Sequence, residues 1–424
     1  MPTVRPFRGL RYVPETAGDI AEIVAPPYDI IYDEWRERLY DRNPYNIIRL
    51  IKTRDESDDS ADTKYSRAAS YIDDWMDRGV LRLDDEPVLY VCADTYTVNG
   101  SERTRYGFIG LLRVEDFGDN VHPHERTLSA PKVDRLKLIR ATKTNLSQIF
   151  SVFRDPENII QPLLLRVSES EPAIHFTDEQ GVTRRLWTLS DPDIIAAIVE
   201  FMKNRDIIIA DGHHRYETAI AYRNEMEPQR HRNDEPFDYV SMYFSNADDP
   251  GMTILPTHRK VSGVSSYNQG TFFSELDKLF YVRYGGDADL EKLIGEIAVD
   301  SDRNNSFVIY TCNGFGTARL RNPDSPKELD VNILHSIIIE QLLGITREAI
   351  ASGEHVHFCK SPDHAIEDVA NNKDQISFIM NALTTDELFR TVLKGERMPQ
   401  KSTYFYPKTM SGLVMYRIER PSLG

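Results

Sequence analysis

The sequence has few cysteines and no long apolar run. Its three cysteines, Cys92, Cys312 and Cys359, lie far apart and form no Cys-x-x-Cys pair. Disulfide frameworks and zinc ribbons need a definite cysteine spacing, so the sequence indicates neither of them. No stretch approaches the roughly 18 apolar residues of a membrane-spanning helix, and no apolar leader follows Met1. We therefore expect a cytoplasmic protein that has no membrane partner.

The sequence also lacks any block of lysine and arginine. Its 51 basic residues are outnumbered by 67 acidic residues, which gives a formal net charge of -16. Such a surface repels the phosphates of nucleic acids, so we expect no nucleic-acid partner. A phosphate-bearing ligand would need a local positive pocket, with or without a metal ion.

The chain is long enough for about two to three domains of ordinary size. Apolar residues make up 40% of it and charged residues 28%, which is typical of a soluble globular protein. Helical and strand patterns are intermixed, and near Ser262 they become shorter and follow one another more quickly. We predict a mixed α+β fold with a core over residues 1–261. A C-terminal α+β unit is predicted over residues 262–424, and its end folds back on the core.

Several local patterns predict single elements. Asn99-Gly100 between two apolar runs predicts a β-hairpin, and Ser190-Asp191-Pro192 predicts the start of a helix. A helix over residues 330–343 would place His335 on its apolar face, as a core histidine. One further helix is predicted from an apolar stripe at helical spacing, formed by Ala61, Tyr65, Ala68, Ile72 and Trp75.

The most informative stretch runs from Ile207 to Thr218. An apolar run leads into Asp211, Gly212, His213, His214 and Arg215, and a helical pattern follows. We interpret this order as a buried strand, a tight turn and a helix N-terminus, which is a favourable place for an anion. Glycine permits a positive φ or a close backbone approach, and an arginine can bind phosphate through two donors. The alternative is an ordinary strand-helix junction with one histidine in the core.

A second stretch with many reactive side chains contains His122, His124, Glu125 and Arg126. In an extended chain the two histidines share a face and could hold a metal ion, although a third ligand would have to come from elsewhere. A role in acid-base catalysis or phosphate binding suits His124, Glu125 and Arg126 better. An ordinary charged surface loop remains the alternative.

Two further segments are candidates for lining a pocket. Near the N-terminus, one proline-containing bend carries Tyr28 and Asp29 and another carries Asn46. These residues could contact a substrate, or the bends could simply link short strands. Near the C-terminus, residues 395–408 combine lysines, hydroxyls, aromatics and prolines. We expect this segment to fold back over a site and to bring Lys401, Ser402 or Thr403 to a phosphate.

The motifs taken together resemble those of the DUF1015 family of prokaryotic proteins. The resemblance covers essentially the whole chain and rests on Pro6-Phe7-Arg8-Gly9, Ala25-Pro26-Pro27-Tyr28-Asp29, Asn43-Pro44-Tyr45-Asn46, Ala210-Asp211-Gly212-His213-His214-Arg215-Tyr216-Glu217-Thr218 and Met398-Pro399-Gln400-Lys401-Ser402-Thr403-Tyr404-Phe405-Tyr406-Pro407-Lys408.

The turn from Asp211 to Arg215 is also similar to the phosphate-binding Gly-x-x-Arg turn of the ParB/sulfiredoxin superfamily, which includes free L-serine kinases. This resemblance implies a ParB/sulfiredoxin-like nucleotide-binding core, elaborated with extra β-hairpins, and Mg²⁺ used with ATP or ADP. No cysteine stands directly before His213 in the turn, which argues against the sulfiredoxin reaction. No helix-turn-helix of the ParB kind is found, so the free-amino-acid kinase branch remains.

The resemblance implies two possible functions, and the histidines suggest a third. The first is a nucleotide-dependent phosphotransferase that acts on a small hydroxylated metabolite, as free L-serine kinases do. The second is a regulatory switch that binds CTP or ATP without phosphorylating a small molecule. The third is a metal-dependent hydrolase that uses His122, His124, His213 and His214, although no recognisable ligand spacing supports it.

For the phosphotransferase, the residues divide into three roles. The predicted catalytic residues are Asp211, His213, His214, Glu125 and His124. The predicted phosphate-binding residues are Gly212, His213, His214, Arg215, Arg126, Lys401, Ser402 and Thr403. Tyr28, Asp29 and Asn46 are predicted to contact the substrate. Asp211, Glu125 and Asp29 are the candidate acids for the acceptor hydroxyl or Mg²⁺, and Asp211 is favoured because the turn fixes its position.

Overall fold

A computed structural model of the chain describes residues 1–57, 59–60, 62–125, 129–285, 289–300, 305–321 and 328–419. The chain divides into two compact units. Unit 1 consists of Met1–Thr253 together with Phe405–Gly424, and unit 2 consists of Ile254–Tyr404. Both units combine helices and sheets, which confirms the predicted mixed α+β class.

The strands are, in chain order, β1 Val4–Arg5, β2 Leu10–Tyr12, β3 Leu81–Leu83, β4 Leu89–Val98, β5 Ser101–Arg113, β6 Val121–Pro123, β7 Thr144–Asn145, β8 Ile149–Phe153, β9 Ile174–Thr177, β10 Thr183–Leu189, β11 Ile207–Asp211, β12 Tyr239–Asn246, β13 Thr253–Leu255, β14 His258–Val261, β15 Phe280–Tyr284, β16 Ser306–Thr311, β17 Gly314–Leu320, β18 Val356–Cys359, β19 Ile376–Ile379, β20 Tyr404–Tyr406 and β21 Tyr416–Arg417.

The α-helices are α1 Pro14–Ala17, α2 Ile20–Ile23, α3 Asp33–Arg42, α4 Ile48–Ile51, α5 Thr63–Asp77, α6 Ser129–Thr142, α7 Ile160–Ser168, α8 Pro192–Met202, α9 His213–Met226, α10 Gln269–Leu279, α11 Leu290–Asp300, α12 Asp330–Ile333, α13 Arg347–Ser352, α14 Pro362–Ala370 and α15 Thr385–Leu393. Short 3₁₀ turns cover Tyr28–Ile30, Glu227–Gln229 and Pro236–Asp238, and a π-helix covers Leu334–Leu342.

Unit 1 is built on a mixed sheet in the strand order β6-β11-β8-β12-β5-β4-β10-β9, with β1 added beside β5. The pairs β11 with β6 and β12 with β8 are parallel, and the other neighbours are antiparallel. The long β4–β5 hairpin turns at Asn99-Gly100, and both of these residues have positive φ. The hairpin predicted from Asn99-Gly100 is therefore confirmed.

The two faces of this sheet differ in chemistry. One face packs Leu89, Val91 and Phe108 into a large apolar core under α7, α8 and α9. Because side chains alternate along a strand, the other face carries Asp94 and Arg105, which form a buried ion pair at 2.7 Å. The polar face therefore holds charged groups inside the protein, and the candidate site lies on this face at the end of β11, next to the edge strand β6.

Unit 2 contains an antiparallel sheet in the order β15-β17-β16-β19-β14-β18. The sequence assigned residues 258–261 to the core, but β14 pairs with β18 and β19 and so belongs to the sheet of unit 2. Conversely, residues from Phe405 onward belong to unit 1. The unit boundaries accordingly lie after Thr253 and after Tyr404 rather than after residue 261.

No helix among the described residues is both long enough and apolar enough to cross a bilayer.

Candidate phosphate-binding site at the start of α9

The site begins where β11 ends and α9 starts. The register of β11 shifts by a bulge between Ile209 and Asp211, so that Asp211 lies opposite Phe150 of β8. A bulge of this kind turns the next side chain toward the other face of the sheet. Asp211 therefore lies on the polar face, whereas Ile209 stays in the apolar core.

Gly212 makes the tight turn between the strand and the helix. Its φ of 93° and ψ of 29° place it in the left-handed region, which non-glycine residues avoid. A Cβ atom at this position would lie 2.8 Å from the Nη2 atom of Arg215. Gly212 caps α9 without a side-chain hydrogen bond, so the helix presents its first-turn N–H groups and the positive end of its dipole here.

Two cations converge on the Asp211 carboxylate. The Arg215 guanidinium donates to Oδ2 at 2.7 Å and to the backbone oxygen of Gln148. The Lys408 ammonium donates to Oδ1. All three side chains are largely buried, with 10% of Asp211 and 13% of each cation exposed. Asp211, Arg215 and Lys408 together carry one net positive charge.

These contacts determine the ionisation of Asp211. Burial by itself would raise its pKa, but the Lys408 ammonium and then the Arg215 guanidinium outweigh burial and hold the pKa well below its usual range. The carboxylate is therefore ionised throughout the physiological range. It orients cations well but accepts a proton poorly.

A pair of histidines adjoins this turn. His213, the first residue of α9, lies with its ring centroid 4.6 Å from that of His124, which directly follows β6. The His124 backbone N–H donates to Nε2 of His213 at 3.3 Å, and Nδ1 of His124 lies 2.6 Å from the backbone oxygen of Ile209. Glu125 extends the group, because its carboxylate lies 3.5 Å from Nε2 of His124. The parallel pairing of β6 with β11 brings these two stretches together.

The pKa values of this group shift in definite directions. Burial and the charge of His124 lower the pKa of His213 to about 3, so His213 is neutral at neutral pH. Burial would raise the pKa of Glu125, but the hydrogen bond and the charge of His124 outweigh it and lower the pKa to about 2. The group therefore combines an ionised carboxylate with a neutral imidazole.

His214 and the predicted substrate residues Tyr28 and Asp29 lie on the neighbouring side. Burial lowers the pKa of His214, and the charges of Lys132 and Arg215 lower it further. The charges of Glu217 and Asp29 oppose this shift. Tyr28 stacks under the Arg135 guanidinium, whose Cζ lies 3.9 Å from the ring centroid. A pocket open to solvent runs along this side of α9, and its lining includes Tyr28, Arg135, Ser147, Arg215 and Thr218.

The remaining predicted site residues belong to other parts of the chain. Asn46 is fully buried, and its amide bonds the backbone of Glu22 and Ile48, so it holds the fold locally. Lys401, Ser402 and Thr403 belong to unit 2, where Ser402 donates to the Pro399 backbone oxygen. Arg126 lies outside the described residues.

Sequence reasoning missed two residues of the site, Lys408 and Gln148. Lys408 stands in the same C-terminal motif as Lys401 and contacts Asp211. The available signal was the motif itself, which contains both lysines. Gln148 contributes a backbone oxygen, and no side-chain pattern predicts such a contact.

The described residues contain no group of three or more His, Cys, Asp or Glu side chains arranged to hold a metal ion. His122, the other half of the proposed histidine pair, instead contacts Asp206 at 2.9 Å.

Comparison with known proteins gives the family of the chain. The sequence model of the family described as "Protein of unknown function (DUF1015)" matches residues 4–336. The chain belongs to the DUF1015 family. No curated protein matches this DUF1015 protein significantly.

Solved structures resemble the DUF1015 protein only distantly. A conserved hypothetical protein from Pyrococcus furiosus has a TM-score of 0.34 at 14% identity, with 69% of this chain and 89% of that chain covered. A free serine kinase in complex with AMP gives 0.34 at 12%, covering 68% and 84%. A C-terminal truncation of SbnI from Staphylococcus aureus gives 0.34 at 12%, covering 72% and 86%.

Proposed function

We propose that this DUF1015 protein is a nucleotide-dependent phosphotransferase that transfers a phosphoryl group to a small hydroxylated metabolite such as free L-serine. One observation carries the proposal: Arg215 and Lys408 meet at Asp211, where Gly212 opens the N-terminus of α9. A helix N-terminus with two adjacent cations attracts phosphate strongly. The likeness of this turn to the phosphate-binding turn of the ParB/sulfiredoxin superfamily supports the same interpretation.

Phosphoryl transfer depends mainly on positioning and on neutralising the charge of the transferred group. Arg215 and Lys408 provide that charge, and Asp211 fixes their positions by bonding both of them. In the reaction, the acceptor hydroxyl oxygen forms a bond to the terminal phosphorus of the nucleotide. The bond from that phosphorus to the departing nucleotide breaks, and the hydroxyl proton leaves to a carboxylate or to water.

Glu125 is the carboxylate that we assign to the acceptor hydroxyl. It is ionised and lies beside His124 and His213, whereas Asp211 is already engaged by two cations. Its pKa of about 2 makes Glu125 a weak base, so it would orient the hydroxyl rather than remove its proton early. His213 accepts the His124 N–H at Nε2 and therefore carries its own proton on Nδ1, which can donate to a phosphate oxygen.

The site offers few carboxylate ligands for Mg²⁺. In nucleotide sites Mg²⁺ uses one or two carboxylates, and the phosphates and water complete its coordination. Glu125 and the exposed Asp29 are the candidate ligands, because the cations that bond Asp211 would repel a metal ion there. Bound Mg²⁺ would neutralise the charge of the nucleotide phosphates.

The phosphate site is tested by removing one cation. Arg215→Ala removes a charged donor from the start of α9, so we expect ATP, ADP, CTP or GTP to bind more weakly by about 1.5–3 kcal/mol. Isothermal titration calorimetry with Mg²⁺ measures the affinity. Arg223→Ala is the matched control, because it removes the same charge from the same helix at a residue that bonds Asp116 and the Val114 backbone instead.

The outcome is informative in both directions. Weaker binding in the Arg215 variant alone supports the site. If a folded Arg215 variant binds the nucleotide as tightly as the wild type does, the phosphate does not lie at α9.

A further inference from the structure

A second cavity, whose lining differs from that of the pocket along α9, includes Lys408. It encloses about 450 Å³, including its open mouth, and lies where α3, the preceding segment and the turn between β9 and β10 meet. Lys408 is the residue that this cavity shares with the phosphate site. A molecule in this cavity would therefore touch the same ammonium that bonds Asp211.

The cavity lining combines apolar walls with charges of both signs. Val24, Leu39 and Met410 form part of the apolar wall, and each of them is less than 10% exposed. A wall of this kind excludes water and limits the size of the occupant. The space suits a small molecule with a short apolar portion.

The charged groups lie at two places in the lining. Lys408 and Arg184 are largely buried, with 13% and 3% of their side chains exposed. Glu179 lies in the hairpin turn, pairs with Arg42 and leaves 45% of its side chain exposed. Asp178 also lines the cavity and bonds Arg184, so a ligand that carries both a carboxylate and an ammonium would meet Lys408 at the buried end and Glu179 at the exposed end.

The lining also contains an unused donor. The indole Nε1 of Trp35 is buried and has no hydrogen-bond partner, while the residue lines the cavity. An unpaired buried donor costs about 1–3 kcal/mol, and an acceptor atom of a bound ligand would remove that cost.

We propose that this cavity is the acceptor pocket and that it binds a small hydroxylated amino acid. The carboxylate of the amino acid faces Lys408, and its ammonium faces Glu179. This inference rests on the proposed phosphotransferase function, because Lys408 places the pocket directly beside the phosphate site. It assigns acceptor recognition to α3 and the β9–β10 turn, neither of which contributes to the turn at α9.

Tryptophan fluorescence tests occupancy without any catalysis. The protein has three tryptophans, and Trp75 and Trp187 are buried elsewhere, at 2% and 4% exposure. We expect L-serine to change the fluorescence of the wild-type protein, and we expect Trp35→Phe to abolish that change. Glycerate, which lacks the ammonium, should bind more weakly than L-serine.

Charge variants test the orientation of the ligand. Glu179→Gln should weaken L-serine binding about tenfold, since about 1.4 kcal/mol corresponds to a factor of ten, and it should remove the preference for L-serine over glycerate. Glu34→Gln is the matched control, because Glu34 is an exposed residue of α3. This variant should bind L-serine as tightly as the wild type does. ATP affinity, measured in parallel, should be unchanged in all three variants.

Two results would overturn the acceptor pocket. If wild-type protein binds ATP but its fluorescence does not respond to L-serine, the pocket assignment fails while the nucleotide site stands. If L-serine binds equally well to the wild type and to the Glu179 variant, the ammonium does not face Glu179. L-serine binding without any nucleotide binding would instead contradict the phosphotransferase function.

Discussion

Asp211 uses its two carboxylate oxygens for two different cations, and this arrangement defines the candidate site. Arg215 lies one helical turn away, whereas Lys408 is 197 residues further along the chain. The sequence predicted Arg215, because a local turn places it beside Asp211. It did not predict Lys408, because long-range contacts leave no periodic or spacing signal in a single sequence.

The Lys408 contact should be important for stability as well as for binding. Lys408→Met leaves a buried carboxylate with one cation instead of two. We expect the free energy of unfolding of unit 1 to fall by about 1.5–3 kcal/mol, the range for hydrogen bonds to charged groups. Urea denaturation followed by tryptophan fluorescence measures it, because all three tryptophans lie in unit 1.

Lys137→Met is the control for that measurement. It breaks the exposed pair with Asp62, whose side chain is 72% exposed, so the loss should be within about 1 kcal/mol. Equal stability of the Lys408 and Lys137 variants would show that the Asp211 pair contributes little.

His213 gives a pH dependence of known sign. Its pKa falls from 6.5 to about 3 on folding, so the unfolded state binds more protons between these values. Stability is therefore fully present above about pH 6.5 and decreases as the pH falls toward 3. His213→Gln should flatten this part of the profile, measured by urea denaturation at several pH values.

His175→Gln is the matched control, because His175 is exposed on β9. This variant should keep the wild-type slope. A His213 variant that also keeps the wild-type slope would contradict the burial of a neutral imidazole.

At the scale of single elements, local patterns in the sequence predicted several features well. The buried residues of α5 are Tyr65, Ala68, Ile72 and Trp75, as their helical spacing predicted, and Ala61 lies outside the described residues. Asp191 caps α8 by accepting from two backbone N–H groups. These features depend on residues close together in the chain, and a single sequence records such relations.

Other elements differ from the prediction. The helix expected over residues 330–343 is α12 followed by a π-helix over Leu334–Leu342, in which His335 is buried as expected. The π-helix widens the turn without changing which residues are apolar. Apolar spacing therefore predicted the helix and the burial of His335, but not the hydrogen-bond pattern of the backbone.

The β11–α9 turn should be sensitive to any side chain at Gly212. Gly212→Ala meets two penalties: the left-handed φ of 93° and a Cβ placed 2.8 Å from Arg215. We expect a loss of about 1–2 kcal/mol in stability from the backbone. Nucleotide binding should also weaken, because Arg215 has to move.

Gly79→Ala separates these two effects. Gly79 also has a positive φ, of 68°, but nothing lies within 4 Å of its added Cβ. It should lose similar stability and keep its nucleotide affinity, measured by calorimetry. If the Gly212 variant binds nucleotide normally, close packing of Arg215 against the turn is not needed for binding.

At the scale of the whole molecule, unit 1 is built from two segments that are far apart in the chain. Unit 1 is completed by residues from Phe405 onward, which follow the whole of unit 2 and bring Lys408 to Asp211. The sequence indicated that the C-terminal end folds back, and it named Lys401 of the motif rather than Lys408, which contacts Asp211. The prediction from the sequence put the first boundary after residue 261, whereas unit 1 is interrupted after Thr253. The pairing partners of β14 lie more than 90 residues away, so the sequence near β14 does not indicate to which sheet it belongs.

The most direct test of the account is phosphoryl transfer by the intact protein. The protein is incubated with L-serine, Mg²⁺ and ATP labelled in its terminal phosphate, and the small-molecule products are separated. The account predicts a labelled phosphorylated product that forms with the wild-type protein and is strongly reduced in Arg215→Ala. Binding of nucleotide without transfer to L-serine or to other small alcohols would contradict it and would point to a regulatory switch.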